Sequence, residues 1–82
     1  MSKSPEDRSF RKPAIGDVVI YKGPDAAGKA CEAEAWITKV WSDECVNLKV
    51  APYGRPVFHV CSELRADVAD DLPSSWSWPP RV

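Results

Sequence analysis

Cys45-Val46-Asn47-Leu48-Lys49-Val50 is the stretch whose reading decides the fold. Val46, Leu48 and Val50 alternate with Cys45, Asn47 and Lys49, so one face of an extended chain is apolar and the other meets water. A helix would need its apolar positions three and four residues apart. The run is bounded by Ser42-Asp43-Glu44 and by Pro52-Tyr53-Gly54-Arg55-Pro56, both of turn-forming composition. A strand wet on one face belongs to an antiparallel sheet.

Working upstream, Ala33-Glu34-Ala35-Trp36-Ile37-Thr38-Lys39-Val40-Trp41 alternates in the same way. Ala33, Ala35 and Ile37 share one face, and Glu34, Trp36 and Thr38 the other. The alternation breaks at Lys39-Val40, where a β-bulge would return Val40 to the core and bend the strand. The short turn at 42–44 makes a hairpin of this strand and the next. Val18-Val19-Ile20-Tyr21 is a further strand, between Gly16 and Gly23-Pro24. The loop after it ends in Gly28-Lys29 and has the glycine spacing of a phosphate-binding loop. Ala30 replaces the hydroxyl residue that would hold magnesium, and no helix can follow, so a plain hairpin loop is expected.

Downstream, Val57-Phe58-His59-Val60-Cys61 gives a fourth strand, with Phe58 and Val60 inward. Residues 63–73 are acidic with room for a turn of helix, and Ser74-Ser75-Trp76-Ser77-Trp78 is a last short strand before Pro79-Pro80. The expected fold is all-β: a small SH3-like barrel, or a strongly curled antiparallel sheet of four to five strands, over residues 14–80. Closure of such a barrel removes the exposed edges a flat sheet would leave. Residues 1–13, with Lys3, Arg8, Arg11 and Lys12, read as a flexible basic arm.

The chain has 82 residues, eight of them proline and four tryptophan. That length excludes dinucleotide-binding folds and barrel enzymes of roughly 250 residues. A net charge of −1, from eleven basic and twelve acidic residues, gives no general attraction to phosphate. No apolar run approaches the roughly 20 residues of a membrane span, and the polar N-terminus lacks a secretory signal. Three cysteines, an odd number, argue against a disulfide framework and for a reducing compartment.

The order of these motifs resembles a family of small proteins encoded by tailed bacteriophages and prophages. Its members carry an opening GD-V-x-Y strand, then VT-x-V, CVNL and a terminal WHWP motif. Gly16-Asp17-Val18-Val19-Ile20-Tyr21, Ile37-Thr38-Lys39-Val40, Cys45-Val46-Asn47-Leu48 and Trp76-Ser77-Trp78-Pro79 answer to them here. The resemblance implies a phage or prophage origin, hence a bacterial host cytoplasm or a virion, and no particular activity. Ser77 stands where the family carries histidine, so an imidazole role cannot be carried over.

With a single histidine and no expected cleft, enzyme activity is not expected. The reading is of a protein-binding module whose partner is a phage or host protein or a second copy of the chain. The expected contact residues are Trp36, Trp41, Asn47, Lys49, Trp76 and Trp78. For Trp76 and Trp78, filling an undersized core is the stronger expectation, since a buried tryptophan removes roughly 150–250 Å² from water. One alternative is a single-stranded nucleic-acid-binding barrel, which would stack bases on the tryptophans, although the net charge counts against it. The other is a small zinc protein or enzyme using Cys45, His59 and Cys61. The ligands lack the paired-knuckle spacing of a structural zinc site, so no metal or cofactor is expected.

Overall fold

The alternating side chains are satisfied by one sheet that curls on itself. The computed structural model describes residues 11–69 and 71–80. Its strands are β1 (Val18–Pro24), β2 (Ala30–Val40), β3 (Cys45–Val50), β4 (Phe58–Leu64) and β5 (Ser75–Ser77), with one helical turn, α1 (Ala66–Ala69), between the last two. The order across the sheet is β4-β3-β2-β1-β5, and every pairing is antiparallel. The result is a strongly curled half-barrel, consistent with an SH3-like fold. Of the expected N-terminal arm, residues 1–10 lie outside the described residues. Two of its last three residues lie against the domain: Pro13 is buried, and the Arg11 guanidinium lies 4.2 Å from the centre of the Trp78 ring.

The concave face holds the core. Val19, Tyr21, Ala35, Ile37, Val46, Leu48, Val50 and Trp76 are all buried, and Phe58, Val60, Ala33, Cys31, Val40 and Trp78 pack at the margin. Tyr21 meets Phe58 edge to face at 5.6 Å, and Trp76 meets Trp78 the same way at 5.2 Å. Trp76 also closes the curl. Its residue bridges Arg65, just past β4, while its indole N–H donates to the Glu44 carbonyl at 3.1 Å. The smallest strand thus supplies the largest buried side chain.

Two irregularities shape the sheet. Between β2 and β3 the register shifts between Ile37 and Lys39, so Thr38 is the extra residue, one position before the expected break. Between β3 and β4 it shifts between Val46 and Leu48, setting Cys61 and Ser62 opposite Asn47. Ser62 adopts φ of +55°, a left-handed conformation uncommon for a residue with a side chain. That bulge inverts the alternation and carries β4 on to Leu64, three residues beyond the expected end. It also turns Glu63 inward.

The 23–29 loop is a hairpin turn, as expected. The Asp25 carboxylate fills it, with Oδ1 accepting from the Ala27 and Lys29 N–H groups at 2.9 Å each. Oδ2 accepts from Arg55 at 2.8 Å, tying the hairpin to the β3–β4 turn. Those backbone bonds, with Arg55 beside them, hold the carboxyl below its usual range. The backbone donors a phosphate would need are occupied by the chain's own anion.

Candidate functional site

The convex face of the sheet gathers most of the expected contact residues. Antiparallel register places Val18, Trp36, Lys49 and His59 side by side in a row across β1 to β4. Because these four point away from the core, Trp36 keeps 39% of its surface exposed and Val18 42%. The next positions toward the β2–β3 turn are Lys39 and Asn47, paired across the same two strands. Trp41 follows, 56% exposed.

Trp41 is exposed but not loose. Its indole N–H donates to Asn47 Oδ1 at 2.9 Å, and the Lys39 ammonium sits 4.1 Å from the ring centre. The same Asn47 oxygen accepts from the Ser62 N–H at 2.8 Å. One amide therefore fixes the indole and also supports the left-handed turn of the β4 bulge. Sequence reasoning assigned Asn47 to contact with a partner. Its carbonyl oxygen is instead committed within the fold, where it positions Trp41.

Trp76 also leaves the contact set, because it is fully buried and its N–H is satisfied internally. Trp78 is half-buried between Trp76 and Arg11, and its N–H has no hydrogen-bond partner among the described residues. The tail is thus the lid of an undersized core. The exposed contact residues that remain together are Trp36, Trp41 and Lys49.

The zinc and catalytic alternative does not assemble. Cys45 lies opposite Leu64, whereas His59 lies opposite Lys49, four positions further along β3. At the usual rise that separates them by about 13 Å, too far to share an ion or a proton. Among the described residues no group of three His, Cys, Asp or Glu side chains could hold a metal. Cys31 lines an open groove of about 550 Å³ between β1, the start of β2 and the Leu72–Ser75 segment. His59 points from the opposite face of the sheet, so no Cys–His pair forms there either.

Nothing in the alternation marks a buried acid, yet Glu63 is 6% exposed. Burial raises its carboxyl above the ordinary 4.5, and a hydrogen bond with Ser74 offsets part of that rise. Tyr21 lies beside it, its hydroxyl donating to the Pro24 carbonyl at 2.7 Å. Burial first, and Glu63 second, raise the phenol above its ordinary value. Gly23 lets the chain before β5 lie against this group. A Cβ there would collide with the Ser74 Cβ and come within 2.8 Å of the Tyr21 oxygen.

No family model, curated protein or solved structure matches this chain.

Proposed function

We propose that this chain is a small protein-binding module of phage or prophage origin, and that the convex face around Trp36, Trp41 and Lys49 is its contact surface. The fixing of Trp41 carries this reading. An aromatic side chain left at the surface without a task has no need of a hydrogen-bonded amide and a stacked lysine to hold it. Held in this way, it loses less conformational entropy when a partner covers it, which is why rigid tryptophans dominate many interfaces. The sheet row beside it supplies the neighbouring surface, apolar at Val18 and Trp36 and polar at Lys49 and His59. Cationic and aromatic groups on this face would also suit a single nucleic-acid strand, but Glu34, on the same face beside Trp36, would oppose phosphate.

The test is site-specific photocrosslinking of the full chain in a bacterial host. A photoreactive residue replaces Trp41 in one variant and Tyr53, a fully exposed loop residue, in another. Discrete protein adducts from position 41 and none from position 53 support the reading. Equal labelling from both positions, or adducts to nucleic acid, would overturn it.

A further inference from the structure

The two edges of the sheet are built differently. At one end β5 is three residues long and is bounded by Pro73 and by Pro79-Pro80, so little backbone is left there to pair. At the other end stands β4. Among the described residues its ladder partner is β3 alone, and no backbone hydrogen bond from elsewhere reaches residues 58–61. The bridge from Trp76 that closes the curl falls at Arg65, beyond the strand. Lysines, inward charges and prolines are the usual protection of such an edge, and Val57-Phe58-His59-Val60-Cys61 contains none of them. Pro56 precedes this window and the Ser62 bulge ends it. Between them lies about 17 Å of extended backbone, with alternate N–H and C=O groups pointing away from β3.

The side chains on the two faces define what the edge can accept. Phe58 and Val60 are half-buried at the margin of the core, on the concave face, and an added strand would need apolar residues at alternate positions to cover them. His59 and Cys61 are exposed on the convex face, with Lys49 beside His59 on β3. The outward residues of β3 and of β4 before its bulge are Cys45, Asn47, Lys49, His59 and Cys61, none of them acidic. The outward carboxylate of Glu34 stands on β2, two strands from the edge, and none of the ion pairs among the described residues involves Lys49.

We propose that this edge takes up an extended peptide segment of a partner protein as an added strand. Its alternate apolar side chains cover Phe58 and Val60, and an acidic side chain between them lies opposite His59, toward Lys49. A second copy of the chain fits this edge less well. Antiparallel pairing of two β4 strands about His59 sets one imidazole against the other and brings both Lys49 side chains to one face with no carboxylate between them. The inference rests on the chain being a protein-binding module, and it extends the contact surface from the convex row to the edge of the same sheet.

Peptide titration into the ¹⁵N-labelled full chain, followed by NMR, provides the test. The probe is a capped seven-residue peptide of alternating valine and glutamate. One control replaces the glutamates by lysines, and the other keeps the sequence but is N-methylated on every residue. The footprint of so short a strand is far below a standard interface, so a dissociation constant of about 0.1–1 mM is expected. Amide shifts should centre on residues 57–61. The lysine peptide should bind at least about fivefold more weakly, and the N-methylated one not at all, because it has no backbone donor left for the edge. His59→Glu should reverse the preference between the two charged peptides, and its gain of lysine-peptide binding shows that the variant is folded.

The proposal is overturned by shifts that are absent or centred away from β4, by equal binding of the N-methylated peptide, or by an unchanged preference in His59→Glu. The same amide shifts on concentrating the protein alone would mark a second copy as the occupant and overturn it as well. None of these results touches the convex row. That reading fails separately, if the Trp41 crosslinks to other proteins are no more specific than those from Tyr53.

Discussion

Asn47→Ala tests the link between the fold and the proposed surface. The substitution removes one oxygen and with it two hydrogen bonds, from Trp41 Nε1 at 2.9 Å and from the Ser62 N–H at 2.8 Å. Each is worth about 0.5–1.5 kcal/mol, and since both lie at the surface where water can replace them, the expected loss is about 1–2 kcal/mol. Part of the loss falls on Ser62, whose left-handed backbone no longer has its side-chain support. For a domain of this size 1 kcal/mol corresponds to roughly 4–8 °C in melting temperature, so Asn47→Ala should melt about 4–16 °C below wild type. Asn47→Asp keeps the acceptor, and both donors are N–H groups, so it should melt within about 3 °C of wild type. Freed of its anchor, Trp41 would regain rotamer freedom worth about 0.5–1.5 kcal/mol, a two- to twelve-fold weakening of any contact it makes. Thermal denaturation followed by circular dichroism decides the matter. Equal melting temperatures for Asn47→Ala and wild type, or equal destabilisation by Asp and Ala, would refute the bridging role.

Three further outcomes follow from the buried groups. Trp76→Ala empties the largest core site and leaves the Glu44 carbonyl without its donor. It should cost about 3–5 kcal/mol and leave a domain of this size mostly unfolded, as urea titration would show. Gly23→Ala forces the Ser74 segment away from β1, so amide exchange should accelerate in β5 first, and unchanged protection there would contradict the close packing. Glu63→Gln should change the pH dependence of stability. Because the folded carboxyl holds its proton above the ordinary 4.5, its contribution is fully present below that value and is lost as the pH rises through the folded pKa. The variant cannot ionise, so its melting temperature should gain on wild type with rising pH, and parallel curves would contradict the burial.

Much of this architecture was legible because strands with one wet face write it in their alternation. Val46, Leu48 and Val50 point inward as read, and Trp36 points out because Ala35 and Ile37 point in. What alternation could not convey is what interrupts it. The Ser62 bulge needs a left-handed residue, and serine carries no glycine-like mark of that conformation, so alternation ends β4 at Cys61, three residues early, and leaves Glu63 in an acidic run with room for a turn of helix. Pairing partners were hidden as well. Asn47 looked like a free polar residue on an outward face, because its two donors come from fifteen residues downstream and six residues upstream. An asparagine facing outward near a tryptophan at a strand end was the available signal. Trp76 carried conflicting cues, a terminal position against large apolar area, and the area prevailed because this small core has no other residue of that volume.

The most direct measurement follows the indole N–H signals of the four tryptophans by NMR, with a soluble paramagnetic agent and with ¹⁵N relaxation. Trp36 and Trp41 should broaden with the agent while Trp76 stays sharp, and Trp41 should show an order parameter near the rigid-backbone value of about 0.85 despite its exposure. A Trp41 indole with an order parameter below about 0.6, or a Trp76 signal broadened like that of Trp36, would contradict a convex face built around a fixed tryptophan.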